Sequence, residues 1–205
     1  MSRYLGPKLR IIRRLGELPG FTKKKSNREY PPGQHGPNKM NKKRSTSDYS
    51  LRLQEKQKLR YNYGISEKQL YRYVKEARGL KGSTGTFLLQ LLEMRLDNIV
   101  YRLGFASTIS SARQFVTHSH ITVNNKSINI PSFQCKPNDI ITLKDRVNSK
   151  IFVKKNLESF DPNNLGNHLE LDKNNLIGKV KTIISRDEIK LNINELLIVE
   201  FYSRK

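Results

Sequence analysis

The chain has 205 residues, room for one or two domains. Only 36% are hydrophobic, below the usual globular share, so a core fits but a large one does not. Its 39 Lys and Arg against 18 Asp and Glu give a net charge of +21. A globular enzyme for a small neutral substrate has no use for that self-repulsion. A polyanionic partner supplies one, because each phosphate neutralised by Lys or Arg releases counterions. An anionic membrane surface or an acidic protein are the other partners this charge suits. The charge is uneven: residues 1–60 hold 17 Lys and Arg against 4 Asp and Glu, +13 of the total.

The single cysteine, Cys135, excludes an internal disulfide and any cysteine-based zinc cluster, and it fits a reducing compartment. No apolar run approaches the ~20 residues of a membrane span. The N-terminus has no signal-peptide core, so the protein is expected to be made in the compartment where it works.

In chain order, residues 1–47 read as an extended, basic segment. They carry Gly6-Pro7, Pro19-Gly20, Pro31-Pro32-Gly33, Gly36-Pro37 and the runs Lys23–Lys25 and Lys42–Arg44. Such a segment buries too little apolar surface to order itself, and is expected to order on contact with a partner. Asp48 is the expected N-cap of a helix to about Tyr63, stopped by Gly64. Ser66 caps the next helix, with Gln69 completing a capping box and Gly79 stopping it. After the break at Gly82–Gly85, one helix is expected over 86–104, apolar nearly all round. Thr108 or Ser110 caps a shorter helix to about His118. The period then changes to two. Strands are expected at 120–124 and 127–130 around an Asn124-Asn125 turn, and at 139–143. Residues 144–168 read as polar loop with a single helical turn, and 168–172 and 196–202 as late strands.

Three stretches then carry a resemblance: "MRLDN" at 94–98, "SSARQ" at 110–114 and "HITVN" at 120–124. Together they resemble the RNA-binding module named after the fourth small-subunit ribosomal protein. The rest of the chain resembles that ribosomal-protein family end to end. It does so through "SRYLGPKLR" at 2–10, "PGQHG" at 32–36, "EKQKLRYNYG" at 55–64, "KGSTG" at 81–85, "LLEMRLDNIVYRLGFAST" at 91–108, "KPNDIIT" at 136–142 and "NELLIVEFYSRK" at 194–205. "RRLGELPGFTKKK" at 13–25 looks like the plastid branch. Asn, Lys and Ile are abundant, as an AT-rich coding genome would make them.

The resemblance implies a primary binder of small-subunit rRNA that docks on the RNA's 5′ domain and nucleates assembly of the subunit body. It implies contacts with neighbouring ribosomal proteins where mRNA enters, and a part in decoding accuracy. Some bacterial members hold zinc on N-terminal cysteines; no cysteine precedes 135 here, so no metal or other cofactor is expected. The glycine usual after the strand's Asn is Asn125 here.

Candidate RNA contacts follow. Arg113, with Ser110 and Ser111, lies at a helix N-terminus, where free N–H groups and the dipole favour phosphate, and Gln114 is another candidate. Reversing the charge of Arg113 is expected to weaken RNA binding without unfolding the module. Arg95 is a further candidate, and Asp97 is expected to position Arg95 or nearby backbone. Arg102 either meets RNA or lies over the buried helix. His118 and His120 read as edge contacts, since a zinc site needs about four ligands and the chain's His and Cys are scattered. No catalytic constellation is apparent. Lys126, in the turn, is a phosphate candidate.

Arg52, Lys56, Lys58 and Arg60 form a basic stripe with few acids nearby. Gln34 and His35 sit in a backbone-exposing loop. Arg3, Lys8, Arg10, Arg13, Arg14, Lys43 and Arg44 supply the basic extension. Tyr49, Tyr61, Tyr63, Tyr71 and Tyr73 either stack on bases or, more commonly for such residues, pack between helices.

The expected fold is α+β: an extended basic segment (1–47), a helical domain (48–92), a mixed RNA-binding module (93–157) with two helices on a small antiparallel sheet, and C-terminal strands (158–205) whose last segment packs back on the helical domain. The expected function is structural RNA binding in the small ribosomal subunit of a plastid, or of a bacterium. The alternatives are an RNA-modifying enzyme, such as a pseudouridine synthase, using the same module, and a free mRNA-binding regulator. The enzyme requires a second domain with a catalytic Asp or nucleotide-binding loop, and residues 1–92 show neither.

Overall fold

The computed structural model describes residues 4–39, 47–161 and 165–203. Its helices, in chain order, are α1 (Lys8–Leu15), α2 (Asp48–Asn62), α3 (Glu67–Arg78), α4 (Thr84–Glu93), α5 (Leu96–Arg102), α6 (Ile109–Thr117), α7 (Val147–Glu158) and α8 (Glu195–Ser203). Its strands are β1 (Ile121–Val123), β2 (Lys126–Ser127), β3 (Ile140–Leu143), β4 (Leu169–Asp172) and β5 (Ile177–Val180). The architecture is the expected α+β, in two compact units: Met1–Gly85 with Asn192–Lys205, and Thr86–Leu191.

In the first unit, α1 forms where the sequence suggests an extended chain. Pro7 fixes the entering backbone at φ −67°, and Gly16 stops the helix at φ +91° with its N–H on Ile12 O. Ile12, Leu18 and Phe21 are buried. Phe21 packs on Tyr4 and Tyr61, and Gly20 N–H donates to Asn62 Oδ1 at 3.1 Å. These few apolar anchors, sparse in the sequence, tie the segment to α2.

The cap of α2 is Ser47, whose hydroxyl accepts the Ser50 N–H. Asp48 is instead the first-turn anion that complements the helix dipole. Ser66 caps α3 as expected, accepting the Gln69 N–H, and Leu70, Val74 and Ala77 point inward. Residues 195–203 correct a further expectation: they are the helix α8 where a late strand is expected over 196–202. The run is rich in β-branched and aromatic residues, a strand composition, but tertiary packing overrides it. Phe201 lies against Tyr49, and Arg52 of α2 pairs with Glu200 at 2.7 Å.

In the second unit the expected single helix over 86–104 is two. The backbone leaves the helix at Met94 and is extended at Arg95 (φ −71°, ψ 141°). There it meets the loop at 131–135. Leu96 N–H donates to Phe133 O, Asp97 N–H to Pro131 O, and Cys135 N–H to Met94 O. That loop satisfies donors that a helix start leaves free. Thr108, one of the two expected caps, caps α6 by accepting the Ser111 N–H.

The sheet is antiparallel throughout, in the order β2-β1-β3-β5-β4. Ile121 and Val123 face the core, opposite Leu143 and Ile141. Asn124 (φ +49°) and Asn125 (φ +64°) make the β1–β2 turn, the left-handed pair that a two-residue hairpin requires. β2 is only Lys126–Ser127, shorter than the strand expected over 127–130. Besides α1, two elements are additional to the expected set. About half of the loop at 144–168 is α7, and β5 completes the sheet. The core joins Leu96, Ile99, Val100, Leu103, Phe105, Ile121, Ile141, Val153 and Val180, all fully buried.

Gly104 ends α5 at φ +77°, and a Cβ there would lie 2.6 Å from the Phe160 ring. Backbone strain and steric overlap act together. Gly104→Ala is expected to destabilise the fold by about 1–3 kcal/mol, read as a lower denaturant midpoint at unchanged slope.

Candidate nucleic-acid interface

Two buried carboxylates organise the start of the second unit. Asp97, 1% exposed, accepts Arg95 Nε (3.0 Å) and Nη2 (2.7 Å), and Arg113 Nε (3.1 Å) and Nη2 (2.7 Å). It also accepts the Asn98 N–H at 2.9 Å. Glu93, fully buried, accepts Arg102 Nη2 at 2.7 Å and Nε at 3.1 Å, and the Asn98 amide.

The expectation of direct RNA contact by Arg95 is therefore corrected, because its side chain is 2% exposed inside this cluster. Arg113 and Arg102 show only edges, 11% and 16%, and spend their forks on these carboxylates. The α6 N-terminus is also partly satisfied, since Thr108 takes the Ser111 N–H.

The stripe on α2 is likewise turned to internal use. Lys56 is buried, which corrects its expected RNA contact. It bonds both Glu67 oxygens at 3.0 Å and lies over the Phe201 ring. Arg52 pairs with Glu200, Lys58 with Glu55, and Arg60 lies 3.8 Å from Glu67 and over Tyr61. Tyr202 Oη donates to Glu67 at 2.7 Å. The tyrosines divide: Tyr63 is buried, while Tyr49 and Tyr71 are exposed beside Phe201 and Tyr202.

In the N-terminal segment, Lys8 donates to Phe21 O, and Arg13 clamps Tyr30 O and Pro31 O while covering the Tyr30 ring. Arg10, Arg14, Gln34 and His35 are exposed. Arg3, Lys43 and Arg44 lie outside the described residues.

On the second unit, Ser110, Gln114, His118 and Lys126 are exposed. Also exposed in this unit are cations that sequence reasoning missed: Lys136, Lys144, Arg146, Lys154 and Lys155. None has a side-chain partner among the described residues. Lys68, Arg72 and Lys75 make a similar exposed stripe on α3. The signal was present at Lys144, Arg146 and the Lys154-Lys155 pair, but a stretch read as loop gives such charges no common face.

His118 and His120 share a groove of about 300 Å³ with Ser111, Gln114, Phe115, Asn148, Ser149 and Phe152. His120 stacks on Phe115 at 4.7 Å, and its Nδ1 lies 2.9 Å from the Ser149 hydroxyl. Burial, then the positive Arg146 and His118, hold the His120 pKa below the ordinary histidine value. His168 is buried with Nδ1 3.4 Å from Glu188 Oε2, too poorly aligned to bond. Its pKa is also lowered, by burial first, against the raising effect of Glu93 and Glu188. Burial pushes the Cys135 thiol pKa up, which keeps it unreactive. Among the described residues no group of His, Cys, Asp or Glu is placed to hold a metal, and no helix is long and apolar enough to cross a membrane.

Two predictions concern stability. Arg113→Glu sets a carboxylate against Asp97, so it is expected to destabilise the fold as well as weaken any RNA contact; Asp97→Asn leaves two guanidinium groups uncompensated, at about 3–5 kcal/mol. Urea unfolding reads both, and wild-type stability of either variant would show the cluster to be dispensable. Second, both lowered histidines bind protons more readily when unfolded. Their contribution is complete above the ordinary histidine value near 6.5 and is lost as pH falls through the folded values. Unfolding from pH 7.5 to 5 is expected to show declining stability, and His120→Gln to flatten that slope.

Against known proteins, residues 3–93 match the model "Ribosomal protein S4/S9 N-terminal domain", and residues 94–141 match "S4 domain". Over all 205 residues, and all of each relative, the chain is 62% identical to "Small ribosomal subunit protein uS4c" of Cyanophora paradoxa. It is 59% identical to "Small ribosomal subunit protein uS4" of Trichodesmium erythraeum and 58% to that of Nostoc punctiforme, again end to end. The boundary between the matched domains falls at residue 94, where the backbone leaves α4 and meets the 131–135 loop, and both domains are present in order: the chain belongs to the ribosomal S4 family.

Proposed function

We propose that this protein is a structural, non-enzymatic constituent of the small ribosomal subunit that binds rRNA. The single observation that carries this reading is full-length likeness to small-subunit proteins, both family domains included. The exposed cations agree with it: Lys126, Lys136, Lys144, Arg146, Lys154 and Lys155 project outward while the buried arginines are internally paired. The RNA target is the 5′ domain of the small-subunit rRNA, where binding nucleates the subunit body and supports decoding accuracy. Neighbouring ribosomal proteins and mRNA on its way into the subunit are further partners. The compartment is the plastid stroma, in keeping with the likeness to the Cyanophora protein and the "RRLGELPGFTKKK" stretch at 13–25. The proposed domains follow the reading from the sequence: a basic segment (1–47), a helical domain (48–92), the module (93–157) and a C-terminal segment (158–205).

The contact set is narrower than the sequence alone suggests. It comprises Arg10, Arg14, Gln34 and His35 on the first unit, and Ser110, Gln114, His118, Lys126 and the outward cations on the second. Arg95 and Lys56 act indirectly, by fixing the elements that present these residues. Arg52, Lys58, Arg60, Arg102 and Arg113 touch RNA only through their exposed edges.

Binding of the full chain to a small-subunit rRNA transcript is expected to fall by about 10³–10⁵ between 50 and 200 mM salt, the response of some 6–10 phosphate contacts. A flat salt response would sink the electrostatic account. Crosslinked RNA recovered outside the 5′ domain would overturn the assignment of the target.

A further inference from the structure

The groove between α6 and α7 is built differently from the charged surfaces around it. Its wall is a continuous aromatic run. Phe152 lies 5.5 Å from Phe115, Phe115 stacks on His120 at 4.7 Å, and His118 lies 6.1 Å from His120. Phe115 is almost wholly covered, but Phe152 keeps 40% of its surface open, and His118 is exposed. Two exposed amides, Gln114 and Asn148, line the same space. Neither side chain has a hydrogen-bond partner among the described residues. Each amide offers donors and an acceptor, the complement of a base edge.

Cations stand next to His120: the Lys144 N–H donates to its carbonyl at 2.9 Å, and the Arg146 charge acts on its ring. Lys144 and Arg146 precede α7 and are exposed without a side-chain partner among the described residues, and Arg146 gives no side-chain cap to α7. The Ser149 N–H donates to Arg146 O at 3.1 Å, so the Val147 and Asn148 N–H groups are the ones left to an anion alongside them. Asp145 is the acid between them in the chain, and Lys150 neutralises it at 2.6 Å.

We propose that this groove takes one unpaired nucleotide of the bound RNA: its base lies on Phe152 and His118, its edge meets Gln114 and Asn148, and its phosphate meets Lys144, Arg146 and the start of α7. The proposal rests on the rRNA-binding reading and deepens it. The volume, about 300 Å³, is at the small end of ligand sites and suits a single ring system. A duplex offers no base face to an aromatic wall, whereas an unpaired base does, and stacking on Phe or His is how proteins hold one. The neutral state favoured at His120 keeps a second positive charge off the ring that supports Phe115.

The test compares the full chain with Phe152→Ala, Phe152→Tyr and His118→Ala in binding to a small-subunit rRNA transcript, each across a salt series. Circular dichroism melts confirm folding. His118→Ala, altering an exposed ring, serves where Phe152→Ala is destabilised. Loss of one stacked base is expected to weaken binding by roughly 5- to 100-fold without changing the salt slope, and Phe152→Tyr is expected to restore it. Ultraviolet crosslinks are expected in the peptides carrying Phe152 or His118. Unchanged affinity in folded Phe152→Ala and His118→Ala overturns the proposal. So does a result in which these variants keep RNA affinity but lose a neighbouring ribosomal protein, which would give the groove to a protein side chain. A wild-type chain with no salt-sensitive rRNA binding overturns the functional reading itself, which separates the two failures.

Discussion

The buried Asp97 carboxylate is the constraint on which the second unit depends. It sits at the first turn of α5 and holds Arg95 from the break before that helix and Arg113 from α6. A charge with 1% exposure is tolerable only with such compensation, and here both partners approach as forks and the Asn98 N–H fills a further lone pair. The arrangement fixes α5 against α6 through direction as well as distance. Glu93, the last residue of α4, repeats it with Arg102 and Asn98. Such clusters are weak arguments for raw stability, but they are selective: one helix register satisfies them, and a slip leaves a buried charge alone.

This divides the basic residues by chemistry. In the second unit the arginines Arg95, Arg102 and Arg113 serve inside, and the exposed set is mostly lysine: Lys126, Lys136, Lys144, Lys154 and Lys155, with Arg146 the exception. A planar guanidinium suits fixed bidentate pairs with carboxylates; an ammonium on a flexible stem is a mobile point charge that meets phosphate in many geometries. The first unit follows the rule less strictly. Arg13 and Arg52 are anchored to carbonyls or a carboxylate, yet Lys56 is buried as well, held by Glu67 and the Phe201 face. Glu67 is kept ionised there: burial raises its pKa, but the Tyr202 and Lys56 hydrogen bonds and the charges of Lys56 and Arg60 together lower it further.

What the sequence makes legible follows from local physics. Ser66 and Gly79 mark helix boundaries in the sequence, Thr108 is one of two caps it offers for α6, and the Asn124-Asn125 turn follows from its tolerance of left-handed backbone. The family was legible from motifs spread over the whole length. Four elements were not legible, each for a physical reason. In α1 the anchors are too few, and in α8 β-branched and aromatic residues hide a helix stabilised by tertiary contact. In β5 Gly178 puts no side chain toward Leu103, which breaks the alternation. In α7 only Ser149 and Val153 are buried, while Val147, Ile151 and Phe152 face outward, so no apolar stripe marks the helix. The site was less legible than the fold. Sequence shows that an arginine is present but not whether a carboxylate from another helix already occupies it.

The weak sequence signal of α7 and its place beside the groove have one cause. A helix anchored by Val153, by the Ser149–His120 contact and by the Asn156 amide on Phe105 O commits little of its surface to the core. The rest of its surface remains outward, and that surface carries Lys150, Lys154, Lys155 and the open face of Phe152. Residues 94–113 spend their charge on holding the fold, so the charge that remains for a partner lies on elements with little part in the core. Candidate contacts are better sought among exposed cations without side-chain partners among the described residues, such as Lys144 and Arg146, than among the arginines of the most recognisable motifs.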